Sequence, residues 1–158
     1  MIDNEFDEKC LQEKTTISKP SVNIIQDEKI KNQIAEQHSE NSRYFLEGAK
    51  NLVNTNTPLL AIVIGYFAME HKTNQILALN GYDVESHICT QIGLSRVIGR
   101  RDLAKQLSNA FDMRLNLNYR MLLKKGSEEK SNAEKVINGV IIPFISEIDK
   151  LIGEKHSH

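Results

Sequence analysis

The sequence predicts an all-α protein, an antiparallel bundle of four to five helices in a single domain. Three observations carry that prediction. Apolar residues recur at spacings of three and four over most of residues 27–152, no run shows the alternation of a strand, and the breaks between periodic segments hold residues that start and stop helices. A chain of 158 residues is long enough to bury a core of its own.

Residues 1–26 are polar, keep no period, and contain a Lys19–Pro20 break, so they are expected to form a flexible tail. The first helix runs from about Asp27 to Asn54, with Ile34, His38, Ser42, Phe45, Ala49 and Leu52 on one face. His38 on that face is expected to be a hydrogen-bonded packing residue. Thr57 is the expected N-cap of the second helix, because Pro58 suits the first helical position, where an N–H is not needed. This helix extends to about Asn80. Tyr66, Met69, Thr73, Ile76, Leu77 and Asn80 mark one face, and Ile62, Ile64 and Phe67 widen it. Its first half should therefore be buried nearly all round, and Gly81 terminates it in a left-handed conformation.

A short third helix is expected from Ser86 to about Ile98, weakened by Gly93 and Gly99. Asp102 is the expected cap of a fourth helix, Leu103 to Lys125, which Gly126 stops. The stretch Ser131-Asn132-Ala133-Glu134 reads as a capping box for the last helix. The inward face there is Val136, Ile137, Val140, Ile141, Phe144, Ile148 and Leu151, and Pro143 should kink it. Residues 153–158 should fray.

The bulk composition narrows the function classes. The chain is 40% hydrophobic and 26% charged, with a formal net charge of −1, which argues against wholesale electrostatic binding to nucleic acid. The charge is uneven. Between Arg96 and Lys125 eight basic residues stand against two acids, Asp102 and Asp112. The two cysteines, Cys10 and Cys89, form neither a disulfide framework nor a metal box and fit a reducing cytoplasm. No signal-peptide h-region is visible at the N-terminus, and the most apolar run, residues 59–69, is too short to cross a bilayer. Paired Glu-x-x-His motifs, a phosphate-binding glycine loop, a zinc-protease motif and a dinucleotide fingerprint are all missing, so neither a metal nor a cofactor is expected.

One position breaks the pattern. On a wheel of 100° per residue with Leu103 at zero, the apolar arc of the fourth helix centres at about 40°. Arg114 falls at about 20°, Asn118 at about 60° and Tyr119 at the margin near 160°. A guanidinium does not shed its charge, and leaving it buried and unpaired costs several kcal/mol. Two readings follow: an internal ion pair, for instance with Glu70 or Glu47, or an anion site lined by Arg114 and Asn118, whose fork of donors suits phosphate oxygens.

The order of parts resembles the HEPN (higher-eukaryote and prokaryote nucleotide-binding) family over roughly residues 40–152. The signatures are a second helix ending in glycine with a histidine opening the next (Gly81 and His87 in GYFAMEHKTNQILALNGYDVESH), and an R-x-x-x-(D/N)-Y segment late in the fourth helix (Arg114, Asn118 and Tyr119). A last amphipathic helix opening near NAEKVINGVI completes the set. The resemblance implies a helical bundle that forms a homodimer, with the arginine helices of two subunits facing one cleft. It implies a role in RNA or nucleotide binding, often in toxin–antitoxin or defence systems beside a small nucleotidyltransferase antitoxin. Many members are metal-independent ribonucleases, with an arginine that holds phosphate and a histidine four to six residues later that assists cleavage. Here those positions are Tyr119, Arg120 and Met121. An ordinary phenol, with a pKa near 10, is a poor base at neutral pH. The expected function is therefore an RNA- or nucleotide-binding module in the cytoplasm. Its binding residues would be Arg114, Asn118, Tyr119, Arg120, His71 and His87. The alternatives are a ribonuclease acting through Arg114 and Tyr119, or through an imported His71 or His87, and a structural or adaptor bundle.

Overall fold

A computed structural model describes residues 6–11, 21–119 and 127–156, and these form a mostly helical bundle. Helix α1 spans Glu28–Leu52. Asp27, extended at φ −76° and ψ 121°, caps it with a side-chain oxygen that accepts from Ile30 N at 3.1 Å. Helix α2 spans Leu60–Leu79. The Thr57 hydroxyl does not cap it as the sequence suggested: it lies 3.4 Å from the Thr55 hydroxyl, and the entry is closed by backbone bonds from Leu60 N to Thr57 O and Ala61 N to Pro58 O.

Helices α1 and α2 form an antiparallel hairpin. The Ser42 hydroxyl donates to Ala68 O at 2.7 Å, the Phe45 ring lies 5.6 Å from that of Phe67, and Gly48 faces Ile64. Helix α2 is the centre of the molecule. Burial continues past its apolar first half to Lys72, Thr73 and Asn74, each matched by a polar partner. Lys72 Nζ reaches Asp149 and Gln75 at 2.8 Å, Thr73 donates to Met69 O, and Asn74 accepts from Thr90. A buried polar group needs such partners to avoid an uncompensated desolvation cost.

Two short strands correct the expectation of a strand-free chain. β1, Val22–Ile24, pairs antiparallel with β2, Tyr82–Val84, placing Val22 opposite Val84. Gly81 leads into β2 at φ +93°, and its carbonyl accepts from Ile25 N at 2.7 Å. A Cβ there would sit 3.3 Å from Ile25 O, so glycine answers both the left-handed backbone and the close approach.

Within segment 1–26, the described residues 6–11 and 21–26 pack on the bundle. Besides β1, Phe6 is fully buried, edge-on to Tyr82 at 5.4 Å, and a π-helical turn at Asp7–Leu11 brings Cys10 into a disulfide with Cys89. The two cysteines, read from sequence as separate thiols, have Cα atoms 5.7 Å apart. Backbone ordering costs about 1–2 kcal/mol per residue, and burying Phe6 returns about 1.5–3 kcal/mol. The bridge, across a sequence separation of 79, contributes about 4.5 kcal/mol in the loop-entropy picture. It is the stronger anchor.

Helix α3 is His87–Arg96, capped by Ser86, and α4 is Arg101–Tyr119. Asp102 therefore lies in the first turn of α4 instead of capping it. There it holds Arg100, which also reaches Glu147 at 3.1 Å. Helix α5, Ser127–Val136, runs without interruption through a π turn, Ile137–Ile141, into α6, Ile142–His156. Ser131 is thus inside a helix, not at its start. The π turn ends just before Pro143, where the missing N–H and the ring disturb regular α bonding. Ile137, Ile141, Phe144 and Ile148 face the core as their spacing predicts. Ile141 comes so close to α2 that a Cβ on Gly65 would overlap its Cδ1 methyl.

Candidate anion-binding site

Arg114 meets the rest of the molecule through aromatic faces. Its Cζ lies 5.1 Å from the centroids of Tyr66 and Phe111 and 5.3 Å from that of Phe67. Phe111 sits one turn before it on α4, while Tyr66 and Phe67 come from the apolar half of α2. Ring quadrupoles attract a cation by about 0.5–2 kcal/mol each but supply no hydrogen-bond acceptor in the guanidinium plane. Arg114 Nε is buried and has no partner among the described residues, and the described carboxylates make no ion pair with the group. Glu47 pairs with Lys50, and Glu70 is engaged by other donors.

Glu70 stands one turn after Tyr66 on α2. Its Oε2 accepts from the Tyr66 hydroxyl at 2.6 Å and meets His87 Nδ1 on α3, with the hydroxyl 3.3 Å from the same ring nitrogen. A carboxylate facing Nδ1 favours the tautomer with the proton on that nitrogen and leaves Nε2 with a free lone pair. The Glu70 side chain is 14% exposed and that of His87 is 40% exposed, so the carboxylate is inside and the imidazole edge meets solvent. Burial, then the hydrogen bond to Glu70, raise the Tyr66 pKa well above the usual phenol range, while Arg114 acts in the opposite direction. The tyrosine stays a neutral donor. His87 and Arg114 share two walls: the His87 ring lies 5.4 Å from Phe111 and 6.0 Å from Tyr66.

The site therefore joins Arg114 and His87, two of the residues singled out from sequence, which are 27 positions apart in the chain. His71 falls elsewhere. It stacks on Phe45 at 5.4 Å, and its Nδ1 lies 2.9 Å from His38 Nδ1. Burial holds both histidines below the usual range, His38 to about 4, and the His71 ring further disfavours charge on His38. The side chains of Asn118 and Tyr119, in the last turn of α4, and the whole of Arg120 lie outside the described residues. From the sequence, Tyr66 marks a packing face and Glu70 is one possible ion-pair partner. Their signal was a carboxylate one turn after a tyrosine at the end of an apolar run.

Part of the basic excess is neutralised internally, since Arg100 binds Asp102 and Glu147. A cavity of about 160 Å³ lined by Lys50, Val53, Glu134, Ile137 and Asn138 shares no residue with the cluster. Among the described residues there is no group of three or more metal-ligating side chains, and no helix is long and apolar enough to cross a membrane. No protein-family model matches the sequence, and no curated protein shows significant similarity to it.

Proposed function

We propose that the protein is an RNA- or nucleotide-binding helical module of the HEPN type, in which Arg114 takes a phosphate. The observation that carries this reading is the buried Nε of Arg114, a charge-bearing donor with aromatic walls and no acceptor among the described residues. A phosphate oxygen supplies the missing acceptor and neutralises the charge. The same reading includes a homodimer with the α4 helices near its two-fold axis, a place in a cytoplasmic toxin–antitoxin or defence system, and a small nucleotidyltransferase as partner.

Arg114→Leu tests it. Leucine suits the apolar surroundings, so the fold should survive. Binding of a labelled RNA oligomer should weaken more than tenfold, matching about 1.5–3 kcal/mol for a charge-assisted contact. Unchanged RNA binding would remove Arg114 from the site. A loss of roughly 3–5 kcal/mol in stability would instead signal a stranded carboxylate and an internal ion pair.

The Glu70–His87 contact favours a second reading, metal-independent RNA cleavage with His87 as the imported base. Its Nε2 would accept the ribose 2′-hydroxyl proton as the 2′-oxygen bonds to phosphorus. The P–O5′ bond would then break, with the proton passing to O5′ directly or through water. Glu70 would hold the tautomer and Arg114 the phosphate charge. His87→Gln and Tyr119→Phe separate the two candidate bases: cleavage lost only in the first assigns the step to His87.

A further inference from the structure

We infer that the Cys10–Cys89 bridge is a redox-operated strap: reduction releases residues 6–11 from the groove beside Leu77, Tyr82 and Gly93 and loosens the first turn of α3. The inference does not depend on what binds at Arg114. The ties of the strap include the packing of Phe6 and Leu11 and the bridge itself. Phe6 inserts against Tyr82, with its ring 3.5 Å from the position a Cβ on Gly93 would occupy, and Cys10 is tied covalently to Cys89. One aromatic side chain does not offset the ordering of six backbone residues. Of the Phe6 packing and the bridge, the covalent anchor is the stronger.

The same bridge serves α3. This helix has ten residues, contains Gly93, and is too short to be stable alone. Three tertiary ties fix its first turn: the His87–Glu70 contact, the bridge at Cys89, and the bond from Thr90 to Asn74 at 2.8 Å. The cap itself is long, with Ser86 Oγ 3.4 Å from Cys89 N. Opening the bridge removes the one covalent tie, two residues from His87.

The chemistry is thiol–disulfide exchange with a dithiol reductant. Its thiolate attacks one bridge sulfur, the Cys10–Cys89 bond breaks, and the departing sulfur leaves as thiolate and takes a proton. The second reductant thiol, as thiolate, then attacks the mixed disulfide and frees the other cysteine, which is also protonated. Two electrons reach the protein, and the reductant ends as a disulfide. Both cysteines are buried, so attack follows breathing of the strap and not direct approach.

Hydrogen exchange followed by mass spectrometry, on the full chain oxidised and then reduced with dithiothreitol, tests the inference. Exchange should rise at least tenfold in residues 6–11 and several-fold in 87–91, while α1, α2, α4 and α6 keep their protection. Cys10→Ser should reproduce the reduced pattern without reductant. In oxidised Phe6→Ala the bridge persists, so residues 87–91 should stay protected. Equal protection of 6–11 in both redox states would overturn the inference, as would two free thiols by titration after oxidation. Loss of protection across the whole chain, in reduced protein and Cys10→Ser alike, would also overturn it, because the bridge would then be a global staple.

Discussion

The Tyr66 hydroxyl and His87 Nδ1 lie 3.3 Å apart because both address one carboxylate oxygen, Glu70 Oε2. The two residues come from different helices and are separated by the turn at Gly81 and by β2. Glu70 is the hub, and removing either donor leaves a largely buried carboxylate short of a partner.

Tyr66→Phe keeps the ring that faces Arg114 and removes only the hydroxyl. Stability should fall by about 1 kcal/mol, the net value of a side-chain hydrogen bond. In urea unfolding the midpoint should drop with an unchanged slope. A double-mutant cycle with Glu70→Gln should show coupling between the positions. Strict additivity would mean that the hydroxyl and the carboxylate act independently.

Stability should also fall in mild acid through His38. Its folded pKa is lowered to about 4 from the ordinary 6.5, by burial first and by His71 second, with Glu70 opposing. Between those values the unfolded chain binds the proton and the folded chain does not. The contribution is thus complete above pH 6.5 and is lost as pH falls toward 4. His71 shifts in the same direction. The urea midpoint, followed from pH 7.5 to 4.5, should decline, and His38→Asn should flatten the decline. An unaltered pH profile in that variant would acquit the histidine pair.

Gly65→Ala should destabilise by roughly 1–3 kcal/mol, because the new methyl overlaps Ile141 Cδ1 in a filled core. Ile141→Val removes that methyl. The double variant should recover part of the loss, so its thermal midpoint should exceed that of Gly65→Ala. A double variant no better than the single would place the strain elsewhere.

The periodicities of 27–52 and 60–79, the helix starts near Asp27 and Ser86 and the left-handed Gly81 were all legible in the chain, because each depends on residues within a few positions of one another. Arg114 was legible for the same reason: a cation on an apolar arc is a local contradiction whatever the arc meets. Local signals misled where tertiary contacts took over. Ser131–Glu134 has the residues of a capping box, yet the helix already runs from Ser127. The strands are three residues each, too short for alternation to register, and exist because Ser21 to Ile25 returns across about sixty residues to Gly81 and Glu85. Only the tertiary structure decided that Cys10 meets Cys89, that His71 turns to His38, and that Glu70 gathers Tyr66 and His87 beside Arg114. Each of these pairs two groups on separate elements. Their meeting depends on how helices cross and how turns reverse, and side-chain spacing along one helix carries no record of that.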